Sequence, residues 1–427
     1  MPAPSPSLHV ALLGPAATRD FSELGGHALD GLPAGYPGAP FMASLARGLL
    51  ERGHRVTVVS LASDMPCEQG ALARRRSGAL ELVFAPMRPR AWPLNGRRPG
   101  YIWDLLRFER QGLRRALASI GPDVVHAHWP YEFAWAAIDS GLPHVVTCHD
   151  SPFRIARLYR GWRHGAYRRI RAWMAWHALR RARCVTAVSP YMVQEVAPLC
   201  RGAAHLVPNP VDTTIGAARP MERAAGTRAR VLMVCNGWSE LKNPQAGLRA
   251  FDIVSRSLPD TELVLLGADY GEGGVAQRWC EQAGIAGRLR FVGPVSYGEV
   301  AQWMTGSDLL LHPALEESFG MVAAEALAAG LPVVCGERSG ALPWVVGGAG
   351  RLVDVTSPAA IAQAMLDLLQ HGEHRARLGD LGRQAVKARF AVAPVVQAYE
   401  ALYVQAMGER AAREAVPSLA FGGGPWN

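Results

Sequence analysis

Leu309-Leu-Leu-His-Pro-Ala-Leu-Glu-Glu-Ser-Phe-Gly-Met-Val-Ala-Ala-Glu-Ala-Leu-Ala-Ala-Gly330 reads as a buried strand, a loop and a helix. Leu309–Leu311 has no polar face, as expected of a strand covered on both sides. The spacing predicts a helix over Met321–Ala329, closed by Gly330. Ligands of α/β sheets collect at the carboxyl ends of strands. Here that end carries Glu317, and Glu325 follows eight positions later, one turn into the helix. Backbone N–H groups around Phe319, Gly320 and Met321 lack intrahelical partners and suit a phosphate. A carboxylate beside such a site can take a ribose diol, and another can hold sugar hydroxyls. The segment reads as a site for a nucleoside diphosphate and a polyol. Taken alone, it also suits an acid on a helix dipole and an amphipathic surface acid.

The alternation continues in both directions. Leu8–Leu13, Arg55–Ser60, Asp123–His128, His144–His149 and Cys184–Val188 are short apolar runs, and a helix is expected over Phe41–Arg52. Residues 208–226 are turn-rich, and the pattern then restarts. Arg230–Cys235, Glu262–Gly267 and Leu289–Val292 read as strands. Asn243 and Pro244 read as the N-cap and first turn of a helix burying Leu248, Phe251, Val254 and Leu258. Ser296 with Glu299 reads as a capping box. The expectation is an α/β protein of two doubly wound domains, residues 1–212 and 213–393, facing across one cleft. Residues 394–416 are expected to cross back to the first domain, and residues 417–427 to be a disordered tail.

Composition narrows the function classes. In 427 residues, 49% are hydrophobic and 19% charged, which excludes a disordered, collagen-like or coiled-coil chain. The seven cysteines are scattered, with no CxxC pair, so neither a zinc ribbon nor a disulfide framework is indicated. The expected setting is cytoplasmic, peripheral at the inner face of a membrane where one is engaged, since no run is long enough to span one. Charge is uneven: residues 1–210 carry +12, the remainder −3, for a net +9. From Arg154 to Arg183 there are ten arginines, interleaved with Tyr159, Trp162, Tyr167, Trp173 and Trp176. No acid occurs between Asp150 and Glu195. This stretch suits an anionic membrane surface, a lipid-linked acceptor or another anionic acceptor, and equally a helix packed on the domain with tryptophan inside. Nothing in it is a nucleic-acid module.

His312–Glu325 resembles the Glu-x7-Glu motif of the retaining family 4 glycosyltransferases, which have the GT-B fold. Other landmarks extend the resemblance from residue 52 to residue 333: Arg52-Gly-His-Arg-Val-Thr-Val-Val, Asp123-Val-Val-His-Ala-His, Val146-Thr-Cys-His-Asp150, Val207-Pro-Asn-Pro-Val-Asp212, Phe291-Val-Gly and Ala328-Ala-Gly-Leu-Pro-Val. The resemblance implies a metal-independent transfer from a nucleotide sugar, a UDP or GDP sugar being expected, to a carbohydrate, lipid-linked or other hydroxyl acceptor. It implies no cofactor and no metal. Glu317 matches the carboxylate on the donor sugar and Glu325 the one on the ribose. Ser318, Phe319, Gly320, Met321 and Val322 match the loop and helix start at the diphosphate. His149 matches the histidine that reaches the transferred sugar, and Lys242 the lysine that neutralises the leaving group. The chain uses Arg 43 times and Lys twice, so a lysine kept at 242 suits a compact ammonium.

The sequence departs from the family in places. The usual Gly-Arg pair before the lysine reads Asn236-Gly237-Trp238, so one phosphate-binding cation is missing there; Asn236 or another Arg is expected to replace it. A Pro-Glu motif reads Pro343-Trp344, and the linker Asn-Gly reads Asn209-Pro210. In the amino-terminal Gly-rich loop, Gly38 is better placed than Gly25-Gly26 for close approach of acceptor or phosphate. His126, His128 and His149 lack an evident fourth ligand for zinc. Two other readings stay open: a non-catalytic partner that kept the fold, and an epimerase or phosphorylase on the same scaffold. A Rossmann oxidoreductase is disfavoured, because Gly14-Pro-Ala-Ala-Thr-Arg is not its Gly-x-Gly-x-x-Gly turn.

Overall fold

A computed structural model describes residues 7–414 except 68–69, 159–161, 224, 227 and 286. The tail expected at residues 417–427, together with Tyr159, lies outside the described residues.

The first domain runs β1 (His9–Leu13), α1 (Ser22–Gly25), α2 (Phe41–Glu51), β2 (Arg55–Ala62), β3 (Ala73–Ser77), β4 (Leu80–Pro86), α3 (Arg107–Ile120) and β5 (Val124–His128). It continues α4 (Glu132–Asp139), β6 (His144–Cys148), α5 (Pro152–Leu158), α6 (Trp162–Arg181), β7 (Cys184–Ala187), α7 (Pro190–Val196) and β8 (Ala204–Leu206). Its sheet has the order β3-β4-β2-β1-β5-β6-β7-β8, and β3 alone runs antiparallel. The second domain runs β9 (Ala229–Val234), α8 (Pro244–Ser257), β10 (Thr261–Leu266), α9 (Val275–Ala283), β11 (Arg288–Gly293), α10 (Tyr297–Thr305) and β12 (Leu309–His312). It closes with α11 (Met321–Ala328), β13 (Val333–Gly336), α12 (Leu342–Val346), β14 (Gly350–Val353), α13 (Pro358–Gln370) and α14 (Gly372–Arg389). Its all-parallel sheet has the order β11-β10-β9-β12-β13-β14. Each order reverses beside the domain's first strand, which places a ligand crevice at the ends of β1 and β9. The expected two-domain α/β architecture is what the chain adopts.

The last helix, α15 (Val392–Glu414), returns to the first domain. It buries Val395, Val396, Tyr399, Leu402, Tyr403 and Ala406, the one-sided spacing of an amphipathic helix. Glu400 receives Arg52 at 2.6 and 2.7 Å and faces the His54 ring at 2.7 Å. Breaking such a buried cluster costs about 3–5 kcal/mol. Where the chain leaves the first domain, Val211 N–H donates to the Phe390 carbonyl at 2.8 Å, so outgoing and returning segments lie side by side.

Local expectations differ from the structure in a few places. Strand β3 is Ala73-Arg-Arg-Arg-Ser77 and carries no apolar signal. It holds the sheet edge through Arg74 and Arg76 on Glu81, at 2.7 and 3.0 Å. Asn243 does not cap α8 with its side chain. Its φ is +49°, and its amide donates to the Pro313 and Val355 carbonyls instead. The capping box of Ser296 and Glu299 is formed. Among the described residues, no helix is long and apolar enough to cross a membrane.

Candidate functional site

Strand ends of the two sheets oppose each other in the cleft. From the second domain, β12 ends at His312 and the chain loops into α11. Glu317 lies in this loop with its side chain 14% exposed. It accepts from Lys242 Nζ at 2.6 Å, and its Oε1 is 3.2 Å from His312 Nε2. Burial alone would push this carboxyl up; hydrogen bonds and charge from His312 and Lys242 outweigh it and hold it at about 2. Glu317 is therefore ionised at neutral pH and Lys242 is drawn to it. Lys242 is aimed by the turn before α8, where its N–H and that of Asn243 donate to the Ser239 carbonyl.

The loop's shape rests on glycine. Gly320 has φ +89°, and a Cβ there would lie 2.4 Å from Leu342 Cδ2. Gly340 has φ +59°, and a Cβ there would meet the Glu317 carbonyl at 2.3 Å. Gly320 lets the chain turn into α11 so that Met321 and Val322 open the helix with N–H groups that have no intrahelical partner. Phe319 is buried against Trp344 and Phe390 and anchors the turn. Trp344 thus stands in the aromatic packing beneath the loop, at a position where the sequence lacks an acid.

Glu325 is buried on α11, beside the phenol of Tyr297 at the start of α10. Burial, with Asp212 adding to it against the Tyr297 hydrogen bond, pushes its carboxyl up to about 8. Asp212 itself is held below its ordinary value: Thr214 hydrogen bonds and Arg47 outweigh its burial. Arg47 reaches Asp212 at 3.2 Å and Glu23 at 2.9 Å.

Asn236 and Gly237 lie where β9 leaves its sheet. Asn236 Oδ1 accepts from Ala268 N–H at 3.3 Å, and Gly237, at φ +86°, donates to the Ala268 carbonyl. Asn236 spends its oxygen tying two loops together, and Trp238 packs on Tyr270 and Trp279.

The first domain supplies the opposite wall. His149 follows β6, 9% exposed, stacked on Phe41 with centroids 4.4 Å apart. Its Nε2 is 2.9 Å from His128 Nδ1, and Asn209 lies beside it. Burial drives its pKa down to about 3, so the imidazole is neutral. His126 is occupied by Tyr403 at 2.8 Å and Thr147 at 2.7 Å. The three histidines face one another and their hydroxyl neighbours rather than a common centre, and among the described residues no group of His, Cys, Asp and Glu is arranged to hold a metal. Gly38, at φ +124°, has open space where a Cβ would stand, just before α2. Gly25 instead packs on Leu29.

Contacts across the cleft join the walls. Ser189 Oγ donates to the Ser318 carbonyl at 2.6 Å, Tyr191 Oη bonds Glu316, and Arg154 Nε lies 3.3 Å from Glu316. Glu325 and Tyr297 stand beside Asp212, at the crossing between the domains. His312, Tyr297 and the Arg154–Glu316 contact were not assigned from sequence. His312 lies inside the diagnostic stretch, and only its distance to Glu317 gives it a role. Along the basic segment, Trp173 and Trp176 are exposed at 46% and 37%. With Phe153, Ala156, Ala172, Arg157 and Arg169 they line a groove of about 390 Å³ between α5 and α6.

Comparison with known proteins gives concordant matches. The Glycosyltransferase Family 4 model matches residues 39–215, and the Glycosyl transferases group 1 model matches residues 218–385. The chain is 35% identical over 146 residues to a D-inositol 3-phosphate glycosyltransferase of Corynebacterium glutamicum (strain R), covering 33% of this chain and 35% of that protein. It is 28% identical over 228 residues to an N-acetyl-alpha-D-glucosaminyl L-malate synthase of Bacillus anthracis, covering 51% and 58%. The matched regions thus span about a third to just over half of these relatives. Among solved structures, a sucrose-phosphate synthase from Thermosynechococcus elongatus superposes with TM-score 0.71 at 18% identity, over 94% of this chain and 100% of that one. WaaG, a glycosyltransferase involved in lipopolysaccharide biosynthesis, superposes with TM-score 0.64 at 16% identity, over 92% and 98%.

Proposed function

The chain belongs to the family 4 type of GT-B glycosyltransferases, and on that premise we propose that it moves a sugar, with retention and without a metal ion, from a nucleoside diphosphate sugar to a hydroxyl acceptor. The observation that carries the reading is the Lys242–Glu317–His312 cluster before α11, with a neutral His149 on the first domain. The donor lies on the second domain, its diphosphate between Lys242 and the N–H groups of Met321 and Val322. Glu317, fixed as a carboxylate, accepts from the donor sugar hydroxyls. Glu325 takes the ribose diol. His149 meets the sugar from the opposite wall, and Gly38 leaves room for acceptor or phosphate. Closure of the cleft excludes water and limits donor hydrolysis. The acceptor attacks on the leaving-group face, with the departing diphosphate as base. UDP or GDP carries the sugar.

The acceptor is anionic, or is carried on an anionic lipid at the inner face of a bacterial membrane, in polysaccharide, glycolipid or natural-product glycoside synthesis. Supporting this are the ten arginines of 154–183, the exposed Trp173 and Trp176, and two relatives whose names specify a phosphate and a malate. The test is thermal shift of the protein with UDP, GDP, ADP, TDP and inorganic phosphate, repeated on Lys242→Ala and Glu325→Ala. Stabilisation by one nucleotide, lost in both variants, names the base; the anomeric configuration of the product and its formation in EDTA then follow by NMR. No response to any nucleotide at millimolar concentration would leave a non-catalytic partner as the reading. Turnover without acceptor, or dependence on phosphate, would leave an epimerase or phosphorylase.

A further inference from the structure

At the donor turn, Asn236-Gly237-Trp238 adds no cation to Lys242. A diphosphate leaving group concentrates more charge than one ammonium and a helix N-terminus match well. The first domain presents a cation to the same loop. Arg154, on the first turn of α5, is five residues beyond His149 and reaches Glu316, the residue preceding Glu317. Its Nε is 3.3 Å from Glu316 Oε2 and its Nη1 3.6 Å from Glu195 Oε1. Both contacts are long for charge-assisted bonds. The side chain is 45% exposed, with its guanidinium 5.5 Å from the centre of the Tyr191 ring. Glu316 does not depend on Arg154, because Tyr191 Oη also bonds it. Glu195 likewise keeps Ser151 Oγ at 2.8 Å. Arg154 can therefore leave either carboxylate without stranding it.

Resting on the transferase reading, we propose that Arg154 is a donor-binding residue supplied across the cleft. Its guanidinium exchanges Glu316 for the donor's diphosphate, replacing the cation missing beside Lys242. A planar, half-exposed guanidinium suits two phosphate oxygens. Glu316 then acts as a competitor that parks Arg154 while the donor site is empty, and it opposes the diphosphate. A clasp whose only task is to hold the domains together would behave differently, since removing either partner would loosen it.

The experiment titrates the nucleoside diphosphate that stabilises the wild type, and the matching nucleoside, into wild type, Arg154→Gln, Arg154→Lys and Glu316→Gln by calorimetry. The expected results are a loss of about tenfold or more in diphosphate affinity for Arg154→Gln, partial recovery in Arg154→Lys, a several-fold gain for Glu316→Gln, and no change for the nucleoside. Weakening in both Arg154→Gln and Glu316→Gln would reduce the pair to a clasp and overturn the proposal. Unchanged diphosphate affinity in Arg154→Gln would overturn it too, and if a phosphorylated acceptor alone bound less well, would assign Arg154 to the acceptor. Failure of wild type to bind any nucleotide is a different result, and strikes the transferase reading itself. Melting temperatures within a few degrees of wild type separate binding effects from misfolding.

Discussion

Donor affinity should rise with pH through one carboxyl. Glu325 sits at about 8 because it is buried, with Asp212 nearby. A ribose diol donates two hydrogen bonds and is best received by the carboxylate. The binding-competent fraction is then about one in a hundred at pH 6, half at pH 8 and nine-tenths at pH 9. Affinity should increase about fifty-fold from pH 6 to pH 8, roughly 2.3 kcal/mol, and level off above. Neighbouring groups do not blur this window. Asp212 is held low and stays ionised, and burial keeps the Tyr297 phenol neutral well above its ordinary value. The assay is calorimetric titration with a nucleoside diphosphate sugar, whose phosphates do not titrate in this range, at pH 6 to 9. Glu325→Gln should bind weakly with a flat profile. Stability gives an independent reading. The folded chain holds a proton that the unfolded chain loses near 4.5, so stability falls as pH rises from about 4.5 to about 8, and Glu325→Gln should lose that fall. A wild-type affinity flat from pH 6 to 9, or a slope that persists in Glu325→Gln, would refute the reasoning.

Other substitutions test the remaining links. Glu317 is held at about 2, so its ionised form contributes about 3 kcal/mol above pH 4.5, lost as pH falls toward 2; acid unfolding of Glu317→Gln should lack that limb, and an unchanged acid midpoint would count against the Lys242–His312 pairing. Arg230 is fully buried, with Glu262 at 2.5 Å and the Met221, Glu222 and Gly306 carbonyls around it; Arg230→Met should cost about 3–5 kcal/mol by urea unfolding, because Glu262 is left uncompensated, and a loss under 1 kcal/mol would show that water reaches it. Trp173→Ser with Trp176→Ser, or Arg157→Glu with Arg169→Glu, should weaken sedimentation with phosphatidylglycerol vesicles at least severalfold while nucleotide binding stays intact; equal binding to phosphatidylcholine, or none by wild type, would remove the membrane from the reading.

The architecture was legible because parallel sheets covered on both faces leave short apolar runs, and β1, β2, β5, β6, β9, β10 and β12 are such runs. Strand β3 was not, because an edge strand can be held by Arg74 and Arg76 on Glu81 and needs no apolar face. At the site, local spacing had already singled out what one loop and one helix hold: Glu317, Gly320 and Glu325 fall within nine residues. What spacing does not carry is the partner that arrives through the fold. His312 carries no signal in any sequence pattern; its role comes from a ring 3.2 Å from Glu317. Glu325 looks like any helical acid until burial and Asp212, 113 residues away, move its pKa. In the sequence Arg154 is one arginine of a basic run, yet its contact with Glu316 spans 162 residues and two domains. That difference has a functional consequence. Groups fixed within one loop keep their geometry whether the cleft is open or shut. Pairs drawn from both walls exist only when the domains approach, so they are the ones able to make charge stabilisation of the leaving group depend on closure.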